Sequence, residues 1–192
     1  MKIISIDIGI KNFAYVVINS DDNSSGECKI EDWNIVELCD KNTNASKVDL
    51  IEVGETMKQK FSEIFENNYF DMILIENQIG RNAIRMKMLQ GMVAMYFIMI
   101  GYSKESILNY NAINKLKNFM KGKQKTTYQE RKKMSKDVCK GLVENKFTNM
   151  SELYTKSKKK DDLADCLLQG LDYLKKNTTI CKSYFSIIDK EN

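Results

Sequence analysis

The first part of the chain alternates short apolar runs with polar turns, which is the pattern of a β-sheet. Residues 2–8 are apolar and β-branched, as in a buried central strand, and the turn 9–12 separates them from a second apolar run at 13–18. The polar stretch 19–27 reads as an exposed loop, and it precedes a third run at 30–38. The chain therefore begins with a predicted antiparallel meander of three strands.

Helical periodicity and two further short apolar runs alternate in the rest of the chain. Apolar residues recur at helical spacing over 44–67, where Asn44 or Ser46 could cap the helix, and over the Met-rich stretch 82–100. Strands are predicted at 69–76 and 106–110. Further helices are predicted at 112–120, 128–145 and 161–175, with a polar loop at 122–127 and a mobile, Lys-rich loop at 147–159.

This order of elements predicts an α/β domain with a mixed five-stranded sheet and helices on both faces. The antiparallel strands come first and the parallel strands follow. A chain of 192 residues is long enough for one full core and short for two, so residues 1–192 are expected to form a single domain. The stretch 184–188, near the end of the chain, is ambiguous between an edge strand and a segment that docks on the core.

Composition narrows the chemistry that this domain could perform. The chain has no His, which excludes Ser-His triads, His general bases and His-ligated zinc. Its five cysteines are odd in number and form no Cys-x-x-Cys pair, so we interpret them as reduced thiols of an intracellular protein. The longest apolar run, 92–100, is too short to span a bilayer, and no membrane partner is expected.

Charge is distributed unevenly along the chain. Residues 1–76 carry 7 basic and 15 acidic side chains, whereas residues 77–192 carry 23 basic and 11 acidic ones. Such asymmetry suggests a polyanionic partner, although a solvated Lys-rich helix pair would give the same pattern. The densest basic block holds Lys115, Lys117, Lys121, Lys123, Lys125, Arg131, Lys132, Lys133 and Lys136.

Carboxylates fall where the predicted strands end. Asp7 and Glu76 lie near the C-terminal ends of two strands, and sites in α/β sheets form at that edge. Asp162 and Asp165 lie roughly 60° apart on one face of the last helix, which could bring them over the same edge. Each feature has a plainer explanation, because an Asp before Gly suits a turn and acids suit the first turn of a helix.

Four carboxylates in one place would repel one another unless cations neutralise them. Oxygen ligands without His or Cys select Mg²⁺, with Mn²⁺ as a substitute, over zinc. Two such ions about 4 Å apart can activate a water and stabilise a leaving oxygen in phosphoryl transfer. The basic block could then receive the backbone of a nucleic acid.

Three segments carry a resemblance to a known family. ISIDIGIKN at 4–12, IENQ at 75–78 and DLAD at 162–165 resemble the three acidic motifs of RuvC-type Holliday junction resolvases. The chain is most similar to the poxvirus resolvase and its relatives in large DNA viruses and yeast mitochondria, over residues 2–175. The resemblance implies a ribonuclease-H-like fold, a homodimer, Mg²⁺ and paired nicking of branched DNA such as four-way junctions. A viral protein of this kind would act at replication sites in the host cytoplasm.

The same resemblance assigns roles to individual residues. It makes Asp7, Glu76, Asp162 and Asp165 the metal ligands, and the family spacing favours Asp162 over the adjacent Asp161. Lys117 matches a family lysine near the scissile phosphate, and Lys132 or Lys133 matches a second one more loosely. Further DNA contacts are expected from Arg81, Lys115, Lys121 and Lys123. The 22–29 loop and the 147–159 insertion depart from the family pattern.

Two other functions remain open from the sequence. Sugar kinases and actin-like ATPases begin with a similar Asp-x-Gly strand, but they need a second glycine-rich phosphate loop, and Asp7-Ile8-Gly9 is the chain's single Asp-x-Gly. A non-catalytic nucleic-acid-binding module with the same fold would need the basic block without all four acids. Metal binding that is lost in Asp7→Asn while DNA binding survives would favour the nuclease.

Overall fold

Five strands form one mixed sheet, as the sequence predicts. The computed structural model describes residues 1–20, 27–80, 83–111, 115–116 and 126–178. The strands are β1 (Lys2–Ile8), β2 (Asn12–Ser20), β3 (Cys28–Glu37), β4 (Met72–Glu76) and β5 (Ile107–Tyr110), in the sheet order β3-β2-β1-β4-β5. The first three are an antiparallel meander, while β4 runs parallel to β1 and β5 parallel to β4.

Helices cover both faces of the sheet, which confirms the predicted layers. They are α1 (Leu50–Phe65), α2 (Ile84–Met99), α3 (Tyr128–Asn145), α4 (Ser151–Lys156) and α5 (Lys160–Asn177). Alternation along β1 sends Ile4 and Ile6 to the core beneath α1 and α2, and Ile3 to the core beneath α3, α4 and α5. Asp7 has the same parity as Ile3 and therefore faces α5.

The first helix begins later than its apolar spacing predicts. The Asp49 carboxylate accepts a hydrogen bond from Ile51 N at 2.7 Å and caps α1, so the prediction of Asn44 or Ser46 as the cap is wrong. The Asn44 side chain instead accepts from Ser46 N at 3.0 Å, which closes a local turn before the helix. Similarly, β4 begins at Met72 rather than at residue 69.

The prediction of a mobile loop over 147–159 is also wrong. This stretch contains a short 3₁₀ turn, Thr148–Met150, followed by α4. Two aromatic residues explain the order, because Phe147 and Tyr154 are buried in the α5-side core. The Tyr154 ring stacks on Trp33 with centroids 5.5 Å apart, and its hydroxyl donates to Lys136 O. The mostly polar composition of 147–159 predicts a loop, and the sequence alone does not show that Phe147 and Tyr154 are buried.

Four predicted segments lie wholly or partly outside the described residues, and the predictions on cysteines and on membrane spans are each tested by one observation. The centre of the first loop, most of the 112–120 helix, most of the 122–127 loop and the 184–188 segment lie outside the described residues. Cys39, Cys139 and Cys166 are free thiols, but Cys28 is disulfide-bonded, so the prediction of five reduced cysteines is wrong for Cys28. Of the helices described above, none has both the length and the apolar character needed to cross a membrane.

Candidate active site at the carboxyl edge of β1 and β4

The two central parallel strands bring Asp7 and Glu76 side by side. The register pairs Ile6 with Ile75, so the next residue on each strand is one of the two acids. Leu74 belongs to the α5-side core, and alternation therefore directs Glu76 to the same face as Asp7. The predicted meeting of these two carboxylates at one edge of the sheet is thus what the strand register produces.

Asp7 lies in an environment that opposes its ionisation. Burial raises the pKa of the Asp7 carboxyl well above its ordinary value, and the hydrogen bond with Glu76 and the negative charges of Glu76 and Asp165 raise it further. The Lys115 ammonium lowers it by a smaller amount.

The helix α5 brings the remaining two acids to this edge. Asp165 is close enough to Asp7 to raise its pKa, and Asp162 lies one turn earlier on the same helix. Burial raises the pKa of Asp162, and the negative charges of Asp161 and Asp165 add to this effect. The four predicted acids therefore form a connected series in which Asp7, Glu76 and Asp165 are central and Asp162 is peripheral.

The Lys115 ammonium lies between two of these acids, Asp165 and Glu76. Its Nζ lies 2.9 Å from Asp165 Oδ1 and 3.8 Å from Glu76 Oε1, and its side chain is only 12% exposed. Burial lowers the pKa of the Lys115 ammonium, but the Asp165, Glu76 and Asp7 charges outweigh burial and raise it. The sequence predicts Lys115 at the DNA surface, and this prediction is wrong, because the structure places Lys115 among the acids.

Asp161 points to a different partner. Lys132 Nζ, on α3, donates to Asp161 Oδ2 at 2.8 Å. Burial opposes ionisation of Asp161, but this hydrogen bond and the Lys132 charge lower its pKa overall. Among the described residues, the ion pair of Asp162 is a long one, 3.9 Å, with Lys159 just before α5. Asp162 is thus the carboxylate with the weaker ion pair. This agrees with the family spacing, which favours Asp162 over Asp161 as the metal ligand.

As the side chains lie, the described residues contain no group of three or more acidic or cysteine side chains arranged to hold a metal ion. The Glu76 and Asp165 carboxylates instead lie against the Lys115 ammonium. Lys133 is an exposed residue of α3. The predicted DNA contacts Lys117, Lys121, Lys123 and Arg81 lie outside the described residues.

Sequence reasoning missed two polar residues beneath the site. Ser5 and Gln169 are buried between β1 and α5, where each hydrogen bonds to the elements that carry the acids. A signal was available, because Ser5 interrupts an apolar strand and Gln169 interrupts a run of apolar positions on the last helix. A polar residue in a buried pattern needs a partner, and that partner is only visible in three dimensions.

The sheet order, the crossing helices and an acidic site at the carboxyl edge of its central strands define a ribonuclease-H-like α/β protein. Within that class, the chain belongs to the poxvirus A22 protein family, whose model matches residues 1–177. The match covers all four predicted acids, and it confirms the family resemblance seen in the motifs.

Solved structures agree on the fold. A fowlpox virus resolvase in complex with Holliday junction DNA is 24% identical with a TM-score of 0.64, covering 92% of this chain and 98% of that one. Thermus thermophilus RuvC is 14% identical with a TM-score of 0.57, covering 93% and 98%. The yeast mitochondrial Holliday junction resolvase is 18% identical with a TM-score of 0.53, covering 98% and 80%. Comparison with curated protein sequences gives no match.

Proposed function

We propose that this protein is a metal-dependent endonuclease that resolves four-way DNA junctions by paired, symmetric nicks. The observation that carries the proposal is the convergence of Asp7, Glu76 and Asp165 around one ammonium at the carboxyl edge of β1 and β4. Family membership and the likeness in fold to resolvases support it. The chemistry is hydrolysis of a phosphodiester in branched DNA.

The residues present fit a hard divalent cation. The central donors are all carboxylate oxygens, and the chain contains no His that would select zinc. A positive charge is already favoured at this point, since Lys115 lies between two of the acids. Asp7, Glu76, Asp165 and Asp162 would hold Mg²⁺, or Mn²⁺ in its place, with two ions expected. When bound, such ions supply an activated water and charge stabilisation for the leaving oxygen.

Lys115 acts as the resident counter-ion of the site. Three carboxylates close together destabilise a folded chain, and a buried ammonium offsets part of their repulsion. Asp165 and Glu76, which Lys115 contacts, would also hold the divalent cation, so the Lys115 ammonium would have to leave them on metal binding. A Lys115 ammonium released in this way would be available to an incoming phosphate.

The basic second half of the chain is the proposed DNA surface. Lys133 is exposed on α3, and Lys132 on the same helix keeps its pKa raised through its hydrogen bond with Asp161. With Lys117 near the scissile phosphate, Lys121, Lys123 and Arg81 extend this proposed surface. Each phosphate contact releases counter-ions, so binding should weaken as salt rises, with a slope of about 0.9 per contact.

The proposed partner is a second copy of the chain, packed through α2. Five large apolar side chains of this helix are half or more exposed: Ile84, Met88, Met95, Ile98 and Met99. At about 100° per residue they fall on one stripe, opposite the buried Leu89, Val93 and Phe97. Gly91 lies within that stripe and would allow a twin helix to approach closely. Such an apolar stripe usually marks an interface, and Met side chains adapt well to one.

As a member of a poxvirus family, the protein is proposed to act in the cytoplasm of an infected cell, where viral DNA replicates. The DNA there is the proposed source of its branched substrate.

A non-catalytic junction-binding module is the second candidate. The observation that favours it is the ion pair between Lys115 and Asp165. If the Lys115 ammonium neutralises the acidic cluster permanently, the cluster needs no metal ion. The two candidates differ in a simple test with a four-way junction, a matched linear duplex and Mg²⁺. The nuclease predicts cleavage of the junction alone, lost on chelation and in Asp7→Asn. Junction binding without cleavage at any Mg²⁺ or Mn²⁺ concentration would support the module.

A further inference from the structure

Two polar side chains lie buried directly beneath the acidic site. Ser5 is 0% exposed and Gln169 2% exposed, between β1 and α5. They belong to a core layer that is otherwise formed by Ile3, Leu74, Leu171 and similar apolar residues. Polar groups at this depth cost free energy unless each has a hydrogen-bond partner, so their partners determine what they do.

Gln169 bonds to both central parallel strands. Its Nε2 donates to Ser5 Oγ at 3.1 Å and to the Ile6 carbonyl oxygen at 3.2 Å, and the Leu74 carbonyl oxygen lies at 3.5 Å. Ser5 Oγ in turn donates to the Cys166 carbonyl oxygen at 2.8 Å. One amide group and one hydroxyl thus join α5, β1 and β4.

The positions of these bonds along each element matter for the site. Ile6 precedes Asp7, Leu74 lies two residues before Glu76, and Gln169 is one helical turn after Asp165. On every one of the three elements, the hydrogen bond therefore falls within four residues of an acid. A shift of α5 along the sheet would break the bonds and separate Asp165 from the other two acids.

A glycine allows α5 to come this close. A Cβ at position 170 would lie 2.8 Å from Ile18 Cδ1 and 3.2 Å from Ser5 Cβ, and real Cβ contacts are rarely that short. An alanine here would therefore require Ile18 Cδ1 and Ser5 to shift, so α5 lies close against β1 and β2 at this point. The neighbouring Gln169 amide lies within hydrogen-bond reach of the strand carbonyls.

We propose that Gln169 is a positioning residue that fixes Asp165 relative to Asp7 and Glu76, so that the three carboxylates can hold one cation. The inference rests on the proposed function and adds a residue to it. The neutral amide donates to backbone carbonyls, so it can fix the site without adding charge beside the acids. Groups that support metal ligands in this way typically affect affinity or rate 10- to 100-fold.

The test is Gln169→Met, which keeps the length and volume of the side chain and removes the donor. Mn²⁺ binding is measured by electron paramagnetic resonance on the folded full chain, and junction cleavage is measured at saturating metal. We expect Mn²⁺ affinity to fall about tenfold and the cleavage rate about 10- to 100-fold, with the KM for the junction little changed. Ser5→Ala removes one acceptor and one bond to α5, and about a threefold loss of Mn²⁺ affinity is expected.

Leu174→Ala is the matched control for simple destabilisation. Leu174 is a fully buried residue of α5, but it lies nine residues beyond Asp165. It should lower the melting temperature and leave the Mn²⁺ affinity of the folded protein unchanged. If Gln169→Met and Ser5→Ala both bind Mn²⁺ as the wild type does, or if Leu174→Ala loses affinity equally, Gln169 has no positioning role.

The outcomes separate this inference from the proposed function. A wild-type chain that neither binds Mn²⁺ nor cleaves junctions contradicts the nuclease. A wild-type chain that does both, beside a Gln169→Met variant that is equally active, contradicts only the role of Gln169. Should Gln169→Met fail to fold, Ser5→Ala with the same Mn²⁺ readout decides the matter.

Discussion

Asp7 contributes to the site at the expense of the stability of the metal-free fold. Its raised pKa means that the native state holds a proton which the unfolded chain releases at about pH 3.9. Between that value and the raised native pKa, the native state binds more protons, so stability falls as pH rises. This loss of folding stability is complete once the pH has passed the native pKa of Asp7. A divalent cation that binds the native carboxylates should restore the stability.

Asp7→Asn should therefore stabilise the metal-free protein while abolishing its activity. At pH 7 without metal, the melting temperature should rise by about 2–4 °C, the shift that ~1 kcal/mol produces in a domain of this size. With Mg²⁺ the order should reverse, because only the wild type gains from binding. Thermal melts of both proteins, with EDTA and with Mg²⁺, give the answer. An Asp7→Asn variant that is less stable than the wild type in EDTA would show that the Asp7 carboxylate does not destabilise the metal-free protein.

Lys115→Met tests whether the ammonium and the metal compete. Removing the resident charge should tighten Mn²⁺ binding about tenfold, corresponding to ~1.4 kcal/mol, within the Coulomb range for charges near 4 Å. Without metal the variant should be less stable, because the carboxylates lose their counter-ion. Calorimetric titration with Mn²⁺ measures the first effect, and Lys133→Met, a change at an exposed α3 lysine, is the control. Unchanged or weaker Mn²⁺ affinity in Lys115→Met would argue against competition.

At the scale of elements, the acids were predictable because they mark where elements end. Asp7 and Glu76 close short apolar runs, and parallel strands bring such ends together. The neighbours of these acids were less accessible. Lys115 belongs to the stretch 112–120, for which the sequence predicts a helix, and only the fold shows that its side chain lies in the acidic site. Gln169 looked like one polar residue in an apolar helix, and its three acceptors lie 95 to 164 residues away in sequence.

The errors in element assignment have a common physical origin. The 147–159 stretch is mostly polar, and composition favoured a loop, but tertiary packing of Phe147 and Tyr154 overrides that local preference. The start of α1 was placed too early because apolar spacing continues before the cap, and the Asp49 hydrogen bond determines where the helix begins. Tertiary contacts and caps therefore correct what periodicity alone suggests.

The register of α5 gives a prediction at the scale of this element. Asp161 is paired with Lys132 on α3, whereas the ion pair of Asp162 within the described part of the chain is a 3.9 Å contact, so we expect Asp162 to be the one that turns to the site. Asp162→Asn should lower junction cleavage by at least about 10²-fold, as misplacing a reacting group does. Asp161→Asn should keep most of the activity and lose some stability. Cleavage rates at saturating Mg²⁺ distinguish the two, and the opposite ranking would move the metal ligand to Asp161.

The whole molecule is expected to be a dimer through the exposed stripe of α2. Light scattering at micromolar concentration should give about twice the chain mass of 22.3 kDa. Met95→Lys, in the middle of the stripe, should shift the mass towards that of one chain, because a buried unpaired charge is costly. Tyr128→Lys is a matched control, since Tyr128 is 64% exposed on α3, which packs on the other face of the sheet from α2. A monomeric wild type, or equal dimerisation of both variants, would remove α2 as the interface.

A two-fold dimer would present two acidic sites to a four-way junction, which has two-fold symmetry itself. The most direct test of the proposed junction-resolving activity is therefore cleavage, with Mg²⁺, of a four-way junction that is labelled on each strand in turn. We expect nicks at symmetry-related positions of two opposing strands, giving linear duplexes that a ligase can seal. We also expect that Asp7→Asn binds the same junction and leaves every strand intact. Nicks in one strand only, or cleavage that persists in Asp7→Asn, would contradict the proposed activity.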